Sequence, residues 1–460
     1  MNQRFPPPFE DQMRQLLGSE YEAFAAAMSD KPPVSIRRNP LKLPAAHEMD
    51  GLPGPIHPVP WHPDGRYLTE RPVFTLDPLF HAGAYYVQEA SSMFLYEALR
   101  QTVDFSKPLQ VLDLCAAPGG KSTLLVSMMG PQSLLVANEV IRQRVAILRE
   151  NLEKWGAPNV AVCSAETEVF GVLENWFDAV VADAPCSGEG LFRKDPDAVR
   201  EWSPAHVEHC ALRQRRILAG AVAALRPGGV LAYSTCTYNH REDEENAAWL
   251  AAEFNLEPLQ LKTPAHWGIA QSGNNCRFFP HRLEGEGFFI SLFRKKEAPH
   301  TRPAMPPGFR SIQALAKKRV AALQAWIRPD AGLHFYQTPT GEVLALPARL
   351  ESAFLILDNA LKNKWFGTNI GQFKGDDFVP AHALALSTLV APALPAVDFS
   401  REQALLYLKK EVFDLPSSTG VKGWALARYR GLNLGWLKIL PNRWNNYLPN
   451  ERRIRMDLPI

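Results

Sequence analysis

Cysteine is scarce and scattered in this chain. The six thiols, at 115, 163, 186, 210, 236 and 276, lie at least twenty residues apart, so no C-x-x-C zinc spacing occurs and no metal centre is expected. Disulfide stapling is equally unexpected in a reducing compartment. Each thiol is then either a small buried apolar group or a reactive one. Long apolar runs are missing too: no stretch reaches the roughly 18 residues needed to span a membrane. Met1 to Glu10 has neither the basic start nor the apolar core of a signal peptide, which points to a cytoplasmic protein. Charge of one sign is also lacking. A net +2 with 21% charged residues describes an ordinary soluble chain.

At 460 residues the chain exceeds the size at which a single core stops growing, so several domains are expected. Phe9 to Met28 has apolar residues at a period near 3.6 and predicts one amphipathic packing helix. Ser35 to Lys42 clusters three cations around Asn39-Pro40, a pattern expected on a solvated face. Residues 40 to 80 are rich in proline and aromatics and read as irregular structure with short strands.

From residue 82 strands and helices alternate. Apolar runs near 109–114, 134–137, 160–163, 177–183, 230–233 and 287–293 are separated by helical periods, including Ile141 to Trp155 and Leu212 to Leu225. This predicts an α/β fold, a Rossmann-like doubly wound sheet with a late antiparallel strand. The first strand ends in Asp113-Leu-Cys-Ala-Ala-Pro-Gly-Gly-Lys121, which is neither a G-x-G-x-x-G nor a P-loop. Strand, glycine turn, helix still lets backbone approach a nucleotide-like cofactor. Glu139, 26 residues beyond Asp113, stands near the offset at which an acid takes ribose hydroxyls. The fourth strand opens into Asp183-Ala-Pro-Cys-Ser-Gly-Glu-Gly190, and the fifth into Ser234-Thr-Cys-Thr237. Read alone, Cys186 with an acid three residues before it has the look of a nucleophile.

Three of these stretches, Cys115 to Lys121, Asp183 to Gly190 and Ser234 to Thr237, resemble in order and spacing the Nop/Sun family of S-adenosylmethionine-dependent RNA cytosine-C5 methyltransferases. Arg277-Phe-Phe-Pro-His281 and Glu286-Gly-Phe-Phe289 extend the resemblance over residues 80 to 296. It implies a methyltransferase core with S-adenosylmethionine as cofactor. Cys115, Ala116, Ala117, Pro118, Gly119, Gly120 and Lys121 would wrap the cofactor, with Glu139 on the ribose and Glu166 as the candidate near the adenine. Asp183 is also placed at the cofactor side.

The same resemblance assigns the nucleophile to Cys236 and product release to Cys186. C5 of a pyrimidine is too weak a nucleophile to take a methyl group until a thiolate has added to C6. A second group must then help to eliminate the thiol. Asp183 would meet the N3 and N4 edge, and donation to N3 would need a protonated carboxyl. Arg277, Arg193 and Lys194 are candidate RNA contacts, and His281 is open between RNA and structure. Cys115, Cys163, Cys210 and Cys276 are expected to pack. His206 and Cys210, four apart on a helix, read as an ordinary helix face.

Proline-rich joints at Ala298 to Gly308 and Ala391 to Pro395 divide the remainder. The expected domains are an N-terminal region 1–79, the methyltransferase core 80–296, an α+β accessory domain 309–390 opening with a helix over Ile312 to Leu323, and a basic module 398–460. Residues 401–460 hold eleven Lys+Arg against five Asp+Glu, a local +6. Trp424, Tyr429, Trp436, Trp444 and Tyr447 lie among these cations, a mixture suited to RNA, although about half should be core. Gly423-Trp-Ala-Leu and Gly431 to Gly435 are similar to the PUA-like tails of bacterial rRNA members of the family. The substrate expected is RNA, foremost 16S rRNA or the small ribosomal subunit, bound by a monomer. A tRNA enzyme and a non-catalytic ribosome-assembly protein are the alternatives.

Overall fold

The computed structural model describes residues 5–43, 57–299, 303–415 and 420–458. The middle of the proline-rich 40–80 stretch and part of the 298–308 joint lie outside them. The central sheet is built from β1 (Gln110–Asp113), β2 (Leu134–Asn138), β3 (Val160–Cys163), β4 (Phe177–Asp183) and β5 (Leu225–Thr235), all parallel. Val, Leu and Ala fill these strands because helices cover both faces and leave no polar side. The flanking strands are β6 (Ala270–Ser272), β7 (Asn275–Phe278), β8 (Phe288–Arg294) and β9 (Lys364–Phe366), giving the order β6-β7-β8-β5-β4-β1-β2-β3-β9. As expected of the late strand, β8 runs antiparallel to β5. Strand order reverses between β1 and β4, so their C-terminal ends flank the crevice where an open α/β sheet takes its ligand.

Three helices position that crevice: α1 (Gly120–Met128), α2 (Arg142–Trp155) and α3 (Pro204–Ala224). The last starts eight residues before the period at Leu212 suggested, because Ser203 caps it by accepting from the His206 amide at 3.1 Å and Pro204 suits its first turn. Likewise β5 begins at Leu225 and takes in Arg226-Pro-Gly-Gly229, which pairs back through Gly228 N–H to the Lys295 carbonyl at 2.8 Å.

The N-terminal part differs from expectation twice. Phe9 to Met28 is two helices, Pro7–Leu17 and Tyr21–Ala27, broken at Gly18, which sits at φ +53°. The cation cluster at 35–42 is not a solvated face. Strand Val34–Arg38 joins a four-stranded sheet, and Arg37 and Asn39 are fully buried. Asn39 donates to the Gly83 and Trp155 carbonyls at 2.9 Å, and Lys42 donates to the Ala82 and Lys154 carbonyls at 2.7 Å. These residues satisfy the C-terminal carbonyls of α2 and suit its dipole. Burial lowers the Lys42 ammonium to about 7.

Past the core, the helix expected over 312–323 is shortened to Lys317–Leu323, with Gln313–Ala314 in a strand of a separate five-stranded sheet. The segment 364–366 instead crosses back to become β9, hydrogen bonded to the outer edge of β3. Adding this strand covers an edge that would otherwise be open to pairing. The last sheet, four strands between Ala396 and Asn446, carries the basic tail. Trp436 and Tyr429 are buried there, Trp424 and Trp444 half-buried, and Tyr447 exposed. Arg452 anchors this module to α2 through Glu150 at 2.7 Å and Glu153 at 2.9 Å. No helix among the described residues is long and apolar enough to cross a membrane.

Candidate active site

The turn Cys115–Gly119 leaves β1 and returns as α1. Gly119 holds φ +113°, and an added Cβ would press on Leu148 at 3.3 Å, so the backbone needs glycine there. Behind the turn Asp113 is fully buried. Its Oδ2 accepts from Ser122 Oγ at 2.6 Å while Oδ1 has no partner, and burial pushes the carboxyl up to about 7. The Ala117 carbonyl accepts from Arg144 at 2.6 Å. Burial foremost raises the half-buried Cys115 thiol. Arg37 reaches the same turn from the N-terminal sheet, donating to Thr123 Oγ1 at 2.6 Å, the Gly120 carbonyl at 3.2 Å and Gln88 Oε1 at 2.9 Å.

Glu139 ends β2. It is buried and accepts from the Ile141 amide at 2.9 Å, with Arg144 at 3.3 Å. Glu166 follows β3 and is exposed; the neighbouring Ala165 is fastened at both its N–H and C=O by the Asn138 side chain. Thus Asp113, Glu139 and Asp183 stand at adjacent strand ends, an acidic arc around a glycine turn. An acidic arc suits a cationic ligand, and the unpartnered Oδ1 of Asp113 gives it buried acceptor capacity.

Asp183 closes the arc. Its Oδ2 lies 2.7 Å from Lys121 Nζ and its Oδ1 accepts from Ser234 Oγ at 2.7 Å. Both oxygens are therefore engaged, one by an ammonium and one by a hydroxyl. Burial opposes the Lys121 charge, but the Asp183 carboxylate outweighs it and raises the ammonium.

The two motif thiols meet. β4 and β5 are neighbours paired Asp183 to Ser234, so the residues that follow each strand emerge side by side. Cys186 Sγ lies 3.0 Å from Cys236 Sγ and accepts from the Cys236 amide at 3.4 Å. The hydrogen bond to Cys236, then burial, pushes the Cys186 thiol well above its ordinary range. Beneath them lies a buried polar layer absent from the sequence reading. Glu242 accepts from the Ser187 amide at 3.0 Å, Gln214 at 2.7 Å and Asn239 at 2.8 Å. Glu189 accepts from the Tyr238 amide at 2.8 Å, and from Trp202 and Asn239 at 3.0 Å. Glu189 stands inside a motif already singled out. Glu242 belongs to Arg241-Glu-Asp-Glu-Glu245, a charge run that ordinarily signals a solvated helix start.

Several expected RNA contacts are elsewhere engaged. Arg277 is buried, bonded to the Tyr238 carbonyl at 2.7 Å and paired with Glu244 and with Asp243 at 3.4 Å. Arg193 is buried against Glu286 at 3.0 Å and donates to the Gly285 and Ala27 carbonyls. Both are structural, because their guanidinium groups are consumed by buried carboxylates. Lys194 is half-exposed at 3.3 Å from Glu286. His281 pairs with Glu20 at 2.9 Å. Cys163, Cys210 and Cys276 are buried, and His206, His209 and Cys210 share one face of α3 with ligand atoms within 4.8 Å of one another.

Known proteins match this arrangement along the whole chain. A family model described as 16S rRNA methyltransferase RsmB/F matches residues 101–294, one for the N-terminal domain of 16S rRNA methyltransferase RsmF matches 5–90, and one for the methyltransferase RsmF PUA domain matches 394–454. A ribosomal RNA small subunit methyltransferase F from Erwinia tasmaniensis is 32% identical over 97% of this chain and 96% of its own length. One from Shewanella loihica is 33% identical over 91% and 88%. Among solved structures, a methyltransferase homolog from Pyrococcus horikoshii is 31% identical with a TM-score of 0.55, covering 63% of this chain and 95% of its own. NSun6 from the same organism, solved with SFG, shares the fold at a TM-score of 0.55 and 21% identity over 65% and 100%. The chain therefore belongs to the RsmB/F branch of the Nop/Sun family, the S-adenosylmethionine-dependent rRNA methyltransferases.

Proposed function

We propose that the chain methylates C5 of cytosine in 16S rRNA through a covalent adduct on Cys236, with Cys186 assisting release. The observation that carries this is the pair of sulfurs 3.0 Å apart at the ends of adjacent strands, beside an ion-paired acid. A non-catalytic RNA-binding protein has no use for two thiols so placed. The named substrate of the relatives, small-subunit ribosomal RNA, supports the choice of RNA.

The 115–121 turn, Glu139 and Asp183 would hold S-adenosylmethionine, with exposed Glu166 as the outlying candidate toward the adenine. Bound there, the cofactor supplies an electrophilic methyl group. The protein makes C5 able to accept it. The Cys236 thiolate forms a bond to C6, and the C5–C6 electron pair becomes available at C5. Asp183 accepts from the N4 amino group of the cytosine, orienting the ring over the dithiol. Lys121, 2.7 Å away, holds that carboxylate in place.

After C5 has been alkylated, its proton leaves to a solvent water, the electron pair of the C5–H bond re-forms the C5–C6 double bond and the C6–S bond breaks, returning its electrons to the Cys236 sulfur. Cys186 is raised above its ordinary range and so keeps its proton, which it donates as a hydrogen bond to the departing Cys236 sulfur. Glu242, Glu189 and Asn239 hold the two thiol-bearing turns in register from below.

Incubating the protein with 16S rRNA and labelled cofactor, then digesting to nucleosides, tests the proposal. The product expected is 5-methylcytidine, and Cys236→Ala should lower turnover at least a thousandfold with cofactor affinity unchanged. Label in another nucleoside, or turnover without Cys236, would contradict it.

A further inference from the structure

A second aromatic site lies away from the dithiol, where β9 joins the core. Strand alternation sends Lys364 and Phe366 to one face and Trp365 to the other, opposite Val162 of β3. Phe366 is buried and stacks on Phe354 at 5.4 Å. Trp365 is left 40% exposed, with the Arg149 guanidinium of α2 at 4.7 Å from its ring. Beside them is a cavity of about 300 Å³, floored by Leu152 and Val162 and rimmed by Thr338, Thr340 and Asn369.

We propose that this cavity is a stacking site for one unstacked nucleobase of the RNA substrate, distinct from the target cytosine. It rests on the reading of the chain as an RNA enzyme. The chemistry of the walls selects a flat, weakly polar heteroaromatic ligand. An indole face with a guanidinium on it attracts a π system of any base. At the rim Thr338 and Thr340 bond to each other at 2.8 Å and Glu342 accepts from Asn369 at 2.9 Å, so a base edge would meet a hydroxyl pair with spare acceptor capacity beside a carboxylate that can accept from its amino group. The volume lies at the small end of ligand pockets.

Position supports an RNA occupant. Val160 and Gly156, at the entry to β3, line the cavity, so it extends along the sheet edge toward the end opposite Asp183 and Cys236. Glu153 on its wall is also the anchor of Arg452 from the basic C-terminal module. The basic module therefore lies against the cavity wall. Burying one base there would fix the register of the RNA far from the reacting atoms.

The test is fluorescence anisotropy of the full chain with a labelled 16S rRNA fragment, beside steady-state methylation. Trp365→Ala and Arg149→Ala should each weaken RNA affinity about tenfold, while Trp365→Phe keeps most of it. KM for RNA should rise with kcat and cofactor affinity unchanged, a split that a folding defect would not give. Adenosine monophosphate is the second probe. Saturable binding of that nucleotide lost in Trp365→Ala, with RNA affinity unchanged, would make this a free-nucleotide site and overturn the proposal. Equal RNA affinity of wild type and both alanine variants would overturn it while leaving the methyltransferase reading intact. A wild-type chain that binds no RNA would overturn both.

Discussion

At the scale of single residues, the site works by setting unlike environments side by side. Asp183 has a lysine and a hydroxyl on its two oxygens, whereas Asp113, at the end of the neighbouring strand, has one hydroxyl on one oxygen and no partner on the other in a dry interior. That difference has a pH signature. Asp113 is raised from 3.8 to about 7 by burial, so the fold favours its protonated form. Its contribution to stability is full below about 3.8 and is lost as pH rises to about 7, because there the unfolded chain ionises and the folded one does not. The urea midpoint of the wild type should therefore fall between pH 4 and 7, and Asp113→Asn should flatten that fall. A variant whose midpoint still falls as steeply would remove Asp113 as the cause.

Residue roles were unequally visible in the sequence. Cys186, Cys236, Asp183 and the 115–121 turn stand in long motifs and could be singled out. The role of Glu242, and that of Glu189 although it stands in one of those motifs, could not, since burial reverses the meaning of an acidic residue and depends on distant donors such as Gln214 and Trp202. Arg277 and Arg193 failed for the same reason: a cation beside a motif looks free until its carboxylate is located.

At the scale of elements, the thiol-bearing turns are packed backbone to backbone. Gly190 donates to the Cys236 carbonyl at 2.9 Å, and an added Cβ would come within 2.7 Å of the Gly287 carbonyl and 2.8 Å of the Cys236 carbonyl. Neither neighbour is a flexible side chain, so the turns would have to part. Gly190→Ala should cost about 1–3 kcal/mol in urea unfolding and a larger factor in kcat, since the sulfur separation changes. Unchanged kcat with lowered stability would show that the reaction tolerates a looser dithiol.

Strand and helix existence was largely legible because buried parallel strands read as apolar runs. What escaped were elements defined by distant partners. β9 is three residues that make sense as a strand only against β3, and Val34–Arg38 hides two buried arginines behind a polar sequence. The N-terminal helix pair differs from one helix by a single glycine, whose positive φ no periodicity reveals.

At the scale of the whole molecule, the parts are fastened by interfaces that also carry function. The N-terminal sheet grips α1 and α2, β9 extends the core sheet, and Arg452 pins the basic module to α2. Trp436 of that module is buried against Trp326, in the turn after the helix Lys317–Leu323, at 5.7 Å between rings. Removing residues 398–460 would thus expose core as well as charge, so point substitutions test the module better. Lys422, Arg443 and Arg455 are exposed. Replacing all three with alanine should weaken rRNA binding and reduce the slope of log affinity against log salt by about two, at roughly 0.7 per single-strand phosphate contact. An unchanged slope would place the RNA elsewhere.

The most direct measurement of the central claim follows the covalent adduct. Cys186→Ala, incubated with 16S rRNA and S-adenosylmethionine and run on a denaturing gel, should give a protein–RNA band that nuclease removes. The band should vanish in the Cys186→Ala, Cys236→Ala double variant. An adduct that survives loss of Cys236, or normal product release from Cys186→Ala with no adduct, would contradict the division of labour between the two thiols.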